Sequence, residues 1–218
     1  MRLDYAPMHM TSGKGITMHK PALTNAPLID AINDRWSALA YDPDREISPT
    51  DLRTLLEAAR WAPSARNEQP WRFVVLDGSV PEAREKARDS LPENNAFAKA
   101  APLMLLAVAD SVYEYSGDYV GHRNPWAQWD TGAAVQTMLL QAVTMGIYGR
   151  ELGLFDLGQL RQDLSVPQPF ELGVLIAMGY PGDPESLTAN SRAVHEKARA
   201  RRPLEEIAYV GTWGESIK

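Results

Sequence analysis

The sequence has no cysteine among its 218 residues, which excludes disulfide bonds, thiolate metal sites and cysteine nucleophiles. It has only four histidines, and their spacing matches neither a metal site nor a catalytic triad. No serine lies in a Gly-x-Ser-x-Gly turn, and no Gly-x-Gly-x-x-Gly follows a strand pattern. The chain therefore offers little for nucleophilic or metal catalysis. It is better suited to holding a cofactor that brings its own chemistry.

Long apolar runs and an excess of positive charge are also missing. No apolar run has the length of a membrane span, and residues 1–26 lack the apolar stretch of a signal peptide. The net charge of −6 argues against general nucleic-acid binding, although it allows a local basic pocket for a phosphate. We expect an N-terminal extension over residues 1–26, a single domain over residues 27–218, and a location in the reducing cytoplasm.

Apolar periodicity predicts the regular elements of the chain. Helix patterns cover residues 27–37, 48–62, 81–90, 131–146 and 156–164. Strand patterns cover residues 73–76, 103–109 and 172–178. Mixed helices and buried strands indicate an α+β protein with three layers, a sheet between two layers of helices.

Residues 111–129 form a long segment with three tyrosines and two tryptophans but no clear periodicity. Loops of this length and composition are usually functional or mobile. Two interpretations are open from the residues: the segment shapes a binding pocket, or it forms an aromatic structural or subunit surface.

The most informative stretch is residues 62–71, which lie between a helix pattern and a strand pattern. Pro63 stops the helix, and Pro70 favours an extended conformation in the residue before it. A connection held by prolines at both ends can present Ser64, Asn67 and backbone N–H groups in a fixed arrangement. Such an arrangement suits an anion or a flat heterocycle. From these ten residues alone, an ordinary helix-to-strand loop is an equally good interpretation.

The sequence Ala-Pro-Ser-x-x-Asn-x-Gln-Pro-Trp in this stretch resembles the signature segment of the nitroreductase family of FMN flavoproteins. Two other stretches lie where that family would place them. Residues 35–37, Arg-Trp-Ser, resemble its Arg-x-Ser opening, and residues 201–204, Arg-Arg-Pro-Leu, resemble its closing Arg-x-Pro-Leu segment. The similarity extends from about residue 28 to the end of the chain. Three separated motifs in the family's order are more specific than any one of them.

The resemblance implies a nitroreductase-like FMN-binding fold, with a central mixed or antiparallel sheet flanked by helices. It implies a homodimer with FMN at the subunit interface and a C-terminal arm, over residues 205–211, exchanged with the partner. Arg35, Ser37 and Arg201 match the family's phosphate-binding positions, and Asn67 matches its ring-edge residue. The full set of residues that we place at the cofactor is Arg35, Trp36, Ser37, Pro63, Ser64, Ala65, Asn67, Gly149, Arg150, Gly153, Arg201 and Arg202.

Two glycines in that set, Gly149 and Gly153, would let the backbone approach a planar ligand closely. In the resembled family this segment lies along the flavin ring. The pair Gly149-Arg150 departs from the family's commoner Ser/Thr-Pro, so the side-chain roles at these two positions are open.

The resemblance further implies an enzyme that uses NAD(P)H to reduce nitroaromatic, quinone or similar conjugated acceptors by ping-pong hydride transfer. The flavin would carry the chemistry, with no metal and no catalytic side chain. Two alternatives remain from the sequence. One is a specialised relative, such as a reductive dehalogenase, an enone reductase or a flavin-fragmenting enzyme. The other is a non-catalytic FMN-binding dimer.

Overall fold

The computed structural model describes residues 20–217, so residues 1–19 of the expected extension lie outside it. The α-helices are α1 (Asp30–Asp34), α2 (Pro49–Arg60), α3 (Pro81–Asp89), α4 (Ala127–Thr144), α5 (Leu157–Asp163) and α6 (Ala189–Glu196). The strands are β1 (Trp71–Leu76), β2 (Leu103–Asp110), β3 (Tyr148–Leu152) and β4 (Phe170–Gly179). Within residues 20–217, no helix has both the length and the apolar character to cross a membrane.

The four strands form one antiparallel sheet in the order β1-β2-β4-β3. Strand β2 lies inside the sheet and is buried along its whole length, as its continuous apolar run predicts. The second continuous apolar run gives β4, the other inner strand. The expected central sheet is confirmed.

The two faces of β2 bury different side chains, as the period of two in a strand requires. Met104, Leu106 and Val108 lie in one core cluster together with Ala87 of α3 and Leu160 of α5. The alternate residues lie in a second cluster with α2 and α4: Leu103, Leu105 and Ala107. The sheet therefore lies between α2 and α4 on one face and α3 and α5 on the other. The predicted α+β architecture is confirmed.

Two predicted helix starts are confirmed by their capping hydrogen bonds. The side chain of Ser48 accepts the N–H of Asp51 at 3.0 Å, and Pro49 occupies the first turn of α2. The side chain of Asp156 accepts the N–H of Gln159 at 2.9 Å at the start of α5. Each cap satisfies a backbone donor that the helix itself leaves free.

The first helix is much shorter than predicted, because α1 covers Asp30–Asp34 rather than residues 27–37. Arg35 has extended backbone angles, with φ −68° and ψ 122°, and the next side chain, Trp36, enters the core. In extended backbone, residues two apart point to the same side. Arg35 and Ser37 therefore lie together on the side opposite Trp36, and burial of the indole is the reason that the helix stops.

Other elements also differ from the sequence prediction, among them α6, which no helix pattern predicted, and β1 and β4, which each begin two residues earlier than predicted. Strand β3 was not predicted, since its polar sequence Tyr-Gly-Arg-Glu-Leu has little strand character and it pairs with β4 alone. Helix α4 begins at Ala127, so the last residues of the predicted long loop are helical. The predicted extended arm contains a turn of 3₁₀-helix at Leu204–Glu206, followed by a hairpin that is closed by a bridge between Tyr209 and Ser216.

Candidate cofactor site

Three arginines from the two ends of the described chain lie close together: Arg35, Arg199 and Arg201, here called the arginine cluster. Burial, followed by repulsion from Arg201, lowers the pKa of Arg35. Burial, followed by repulsion from Arg35 and Arg201, lowers the pKa of Arg199. Two partly buried guanidinium groups and the exposed one of Arg201 repel one another, so the cluster favours the binding of an anion.

Hydrogen bonds distinguish the members of the arginine cluster. Arg199 donates to the backbone carbonyls of Lys20 at 3.1 Å and of Ile32 at 3.3 Å, and also to that of Asn33. It thus caps the C-terminal end of α1. Arg35 is half-buried, and its guanidinium donates no hydrogen bond to any residue between 20 and 217. Its guanidinium therefore keeps charged donors free for a ligand.

Arg150 holds the segment that carries Arg35 and Ser37. Its guanidinium donates to the carbonyl oxygen of Ser37 at 3.2 Å and lies 5.3 Å from the centre of the Phe97 ring. This contact links β3 to the segment after α1. Arg150 thus acts on the site through Ser37 in this chain, a role that its predicted place beside the ring did not include.

Trp36 belongs to the core rather than to the surface of the arginine cluster. Its ring lies 5.9 Å from that of Tyr148 and 4.9 Å, edge-on, from that of His195. The Nζ of Lys20 lies 4.4 Å from the centre of the indole. The buried indole N–H has no hydrogen-bond partner among residues 20–217. Such an orphaned donor is unusual in a folded core and leaves one polar group for a ligand or a water.

The loop of residues 62–70, here called the signature loop, contains a strained backbone. Arg66, Asn67 and Gln69 have φ angles of 56°, 58° and 51°. Asparagine adopts this left-handed conformation more readily than most other non-glycine residues. For those residues the conformation is less favourable than the right-handed one by roughly 1–2 kcal/mol each. The side chain of Asn67 is exposed and makes no hydrogen bond within residues 20–217. Strain of this kind persists where the surroundings impose it, often at functional sites.

Ser64 and a buried carboxylate fix the shape of the signature loop. The Oγ of Ser64 accepts the N–H of Gln69 at 3.0 Å, across the strained residues. The carboxylate of Asp130, in the first turn of α4, accepts the N–H of Ala65 at 3.0 Å. Burial raises the pKa of Asp130, and the hydrogen bond from Ala65 partly offsets that effect. Pro63 is exposed at the entry to the loop.

The two predicted glycines have different surroundings. A Cβ atom on Gly149 would lie 2.3 Å from Cδ2 of Leu139 in α4, so this glycine has a packing reason of its own. A Cβ atom on Gly153 would meet nothing within 4 Å. Close approach of a planar ligand stays a prediction for both positions.

The signature loop lies at one end of the sheet. It leads into β1 at Trp71, which pairs with Ala109 at the end of β2. Ala109 pairs in turn with Glu171, near the start of β4. The start of β4 therefore marks the end of the sheet at which Ser64 and Asn67 lie.

Residues 35–37 lie at the other end. Trp36 contacts Tyr148, the first residue of β3, and Tyr148 pairs with Gly179 at the end of β4. From Glu171 to Gly179 is a length of roughly 26 Å at about 3.3 Å per residue. A single chain therefore does not bring the arginine cluster and the signature loop together.

Comparison with known proteins identifies the family. A profile described as the Nitroreductase family matches residues 32–180, more than half of the chain. The chain belongs to the nitroreductase family. A relative from Archaeoglobus fulgidus, with the provisional name NADH dehydrogenase/NAD(P)H nitroreductase, is 31% identical over 156 residues, which cover 70% of this chain and 84% of the relative.

Solved structures agree with this placement in the nitroreductase family. An oxidoreductase containing FMN superposes with a TM-score of 0.80 at 27% identity, covering 88% of this chain and 96% of the other. A nitroreductase family protein from Clostridium difficile 630 gives a TM-score of 0.63 at 28% identity, covering 82% and 94%. Nitroreductases are FMN-dependent, so the predictions of the family, of an oxidoreductase and of FMN as its cofactor are confirmed.

The residues present fit FMN as nitroreductases use it. Its phosphate carries roughly two negative charges, and the arginine cluster offers unsatisfied guanidinium donors of the opposite sign. Its ring edge needs both donors and acceptors, and the free amide of Asn67 supplies both. The exposed Arg202 follows Arg201 directly and extends the positive charge.

Three buried or half-buried residues of the site were not predicted from the sequence: Glu68, Asp130 and Arg199. Each acts through a contact with a distant part of the chain. Arg199 lies two residues before a predicted ligand, and Glu68 lies within the signature loop, so their positions gave a weak signal. Nothing in the local sequence distinguishes Asp130 from an ordinary first-turn helix carboxylate.

Proposed function

We propose that the protein is a homodimeric, cytoplasmic FMN oxidoreductase that uses NAD(P)H to reduce nitroaromatic, quinone or similar flat conjugated acceptors. The observation that carries the proposal is the arginine cluster, in which Arg35 is half-buried beside two further guanidinium groups with its own donors unused. Free charge-assisted donors in that position suit the phosphate of FMN.

The binding roles follow from the chemistry of the side chains. Arg35 and Arg201 would hold the phosphate as charged donors, and the hydroxyl of Ser37 lies on the same side of the chain as Arg35. Asn67 would bind the edge of the ring, with Ser64 beside the ribityl chain or the ring. Donors at that edge stabilise negative charge on a reduced ring.

Bound FMN would supply two-electron redox chemistry, with NAD(P)H as the reductant and the flat acceptor as the oxidant in a ping-pong sequence at one ring face. The chain binds and orients the partners and leaves that face open. His195 is unsuited to proton transfer, since it is buried and its Nδ1 already accepts the N–H of Leu39. His122 is exposed on the segment after β2. This supports a mechanism without a dedicated histidine relay.

Two observations support the homodimer. The arginine cluster and the signature loop lie at opposite ends of the sheet, and two copies related by a twofold axis can place one beside the other. The hydrogen bonds of residues 204–217 stay within residues 203–217, and most of the apolar side chains of this tail are exposed, with Trp213 at 90%. Exposed apolar surface of this kind favours a protein partner.

Replacement of the two predicted phosphate ligands tests the site. The Arg35→Ala/Arg201→Ala variant should bind FMN at least about 100-fold more weakly, since each charge-assisted hydrogen bond contributes about 1.5–3 kcal/mol. FMN bound per chain, from visible absorbance after gel filtration, measures the effect. A control with Arg53→Ala and Arg192→Ala, which lie outside the cluster, should keep its flavin. Equal flavin content in both variants would contradict the assignment.

Turnover tests the activity. NADPH or NADH, added without oxygen to the flavin-loaded protein, should bleach the flavin absorbance, and menadione or a nitrofuran should restore it. A flavin that neither nicotinamide reduces would favour a non-catalytic FMN-binding dimer or a reductase with another electron donor. A colourless protein that takes up no added FMN would exclude the proposal.

A further inference from the structure

Glu68 is a buried carboxylate in the signature loop, directly after Asn67, and its side chain reaches the segment of residues 111–126, here called the aromatic loop. Glu68 is 3% exposed. One oxygen of its carboxylate accepts the N–H of Glu114 at 3.0 Å. The N–H of Tyr115 donates to both carboxylate oxygens, each at 3.1 Å. The hydroxyl of Ser116 also donates to it. One side chain thus binds three consecutive residues of the aromatic loop.

The surroundings of Glu68 stabilise its charged form. Burial acts to raise its pKa, but the hydrogen bonds from Ser116, Glu114 and Tyr115 outweigh burial and hold the pKa below its usual value. Both oxygens are occupied by donors of the aromatic loop. Glu68 is therefore an anchor rather than a general base, which would need a free lone pair directed at a substrate.

Two further contacts join the aromatic loop to residues in or directly after the signature loop. The guanidinium of Arg66 lies 4.1 Å from the centre of the Tyr119 ring. Arg72, just after the signature loop, pairs with Glu114 at 3.2 Å. Both pairs are at the surface and contribute little by themselves. Glu68 is the buried contact, so it dominates the attachment.

The aromatic loop carries large exposed rings at the same end of the molecule as Asn67. Tyr115 is 71% exposed, and Tyr119 and Trp126 are about half exposed. The side-chain NH₂ of Asn124, which is buried, has no hydrogen-bond partner within residues 20–217. A flat acceptor that reaches a ring bound at Asn67 would meet these aromatic side chains.

We propose that Glu68 is a positioning residue that fixes the aromatic loop beside the flavin and thereby sets which flat acceptors are admitted. This inference rests on the proposed function of the site. Glu68 acts through the loop and touches neither substrate nor the reacting atoms. Release of the loop should therefore change acceptor binding and leave the flavin and the chemical step in place.

Glu68→Gln in the flavin-loaded protein is the first test. An amide leaves an NH₂ group facing the loop's N–H donors, so the attachment fails while the side-chain volume is kept. KM for menadione should rise about tenfold, the equivalent of about 1.4 kcal/mol, with kcat and FMN content within about twofold. Chymotrypsin should cut faster after Tyr115 and Tyr119. Glu185→Gln, at an exposed carboxylate paired with Arg192, is the matched control.

A second variant covers the case in which Glu68→Gln does not fold. Ser116→Ala removes one donor from the loop side and leaves the buried carboxylate its backbone partners, so it should shift KM and cleavage in the same direction by less. If both variants fold, the double variant should have the same KM and cleavage rate as Glu68→Gln, since the two changes disrupt the same attachment between Glu68 and the aromatic loop.

The outcomes separate this inference from the proposed function. An unaltered protein that neither binds FMN nor oxidises NAD(P)H would overturn the proposed function. An active protein whose Glu68→Gln or Ser116→Ala variant keeps the unaltered KM and cleavage rate would overturn the role of Glu68 alone. A fall in kcat with unchanged KM would also overturn it, because that result would place Glu68 in the chemical step.

Discussion

His195 shows how a single buried polar residue controls local structure near the arginine cluster. Its Nδ1 accepts the N–H of Leu39 at 3.3 Å, which requires this nitrogen to be unprotonated. Its backbone carbonyl accepts a hydrogen bond from Lys20. Burial, followed by repulsion from Lys20, lowers the pKa of His195 to about 4. The neutral ring therefore joins α6 to the segment that carries Arg35.

This arrangement makes a prediction about acid stability. The folded pKa of about 4 lies below the ordinary 6.5, so the unfolded chain binds the proton more readily. The free energy of unfolding should fall as pH decreases from about 6.5 to about 4, by up to about 3 kcal/mol at 1.36 kcal/mol per pKa unit. His195→Asn keeps an acceptor for Leu39 and cannot titrate. Its urea-unfolding free energy should lose this part of the pH dependence.

The unfolding free energy of the His195→Asn variant should be subtracted from that of the unaltered protein at each pH. The contributions of the other titrating groups cancel in this difference. Above pH 6.5 the difference should be constant, and it should shrink towards pH 4. Parallel profiles across that range would mean that His195 titrates alike in the folded and unfolded chains.

The role of a residue could be predicted from the sequence where the residue belongs to a motif. It could not be predicted where the role depends on a contact with a distant part of the chain. The motifs indicated Arg35 and Arg201, and the structure brings these two side chains together. Arg199 binds a carbonyl 166 residues away in sequence, and Glu68 binds a loop 46 to 48 residues away. No local pattern encodes such pairs, because most of the partners are backbone C=O or N–H groups that any residue would supply.

At the scale of elements, the sequence predicted those helices and strands whose apolar residues recur with a clear period. Helix α2 and strands β2 and β4 follow their apolar patterns, and the starts of α2 and β2 agree with prediction, whereas β4 begins two residues early and is fully buried only in its second half. Strand β3 was not predicted, because an edge strand can form with few apolar side chains and so shows no apolar pattern in the sequence. Helix α1 was overestimated, because the burial of Trp36 and the contacts of Arg199 override its helical periodicity.

The packing of β3 against α4 predicts a contrast between two glycines. Gly149→Ala would place a methyl group 2.3 Å from Leu139, which is buried, and overpacking of this kind typically loses about 1–3 kcal/mol of stability. Gly153→Ala meets nothing within 4 Å in the chain and should change stability by less than about 0.5 kcal/mol. Urea unfolding of the flavin-free proteins measures both, and each serves as the other's control.

The same pair tests the predicted approach of these glycines to a planar ligand. If the backbone at Gly153 lies against the flavin, Gly153→Ala should weaken FMN binding while leaving the stability of the flavin-free chain intact. Equal stability of the two variants would contradict the packing role of Gly149. Unchanged FMN affinity of Gly153→Ala would remove this glycine from the site.

At the scale of the whole molecule, the division of the site between the two ends of the sheet has the largest consequence. Each chain carries one arginine cluster and one signature loop, roughly 26 Å apart along β4. In the proposed homodimer, each flavin would take its phosphate ligands from one chain and its ring-edge residue from the other. The sequence indicated both sets of residues but not their separation, which only the strand register reveals.

Subunit mixing tests this division. Arg35→Ala/Arg201→Ala lacks the arginine half, and Ser64→Ala/Asn67→Ala lacks the loop half, so each homodimer should bind FMN poorly. A mixed dimer holds one site with both halves intact and one with neither. Refolding the two variants together should therefore restore tight FMN binding to about half of the chains' normal capacity within mixed dimers. Purification through two different affinity tags isolates these dimers for the absorbance measurement. If both halves served the same flavin within one chain, mixed dimers would bind no more FMN than their parents, and the interfacial site would be refuted.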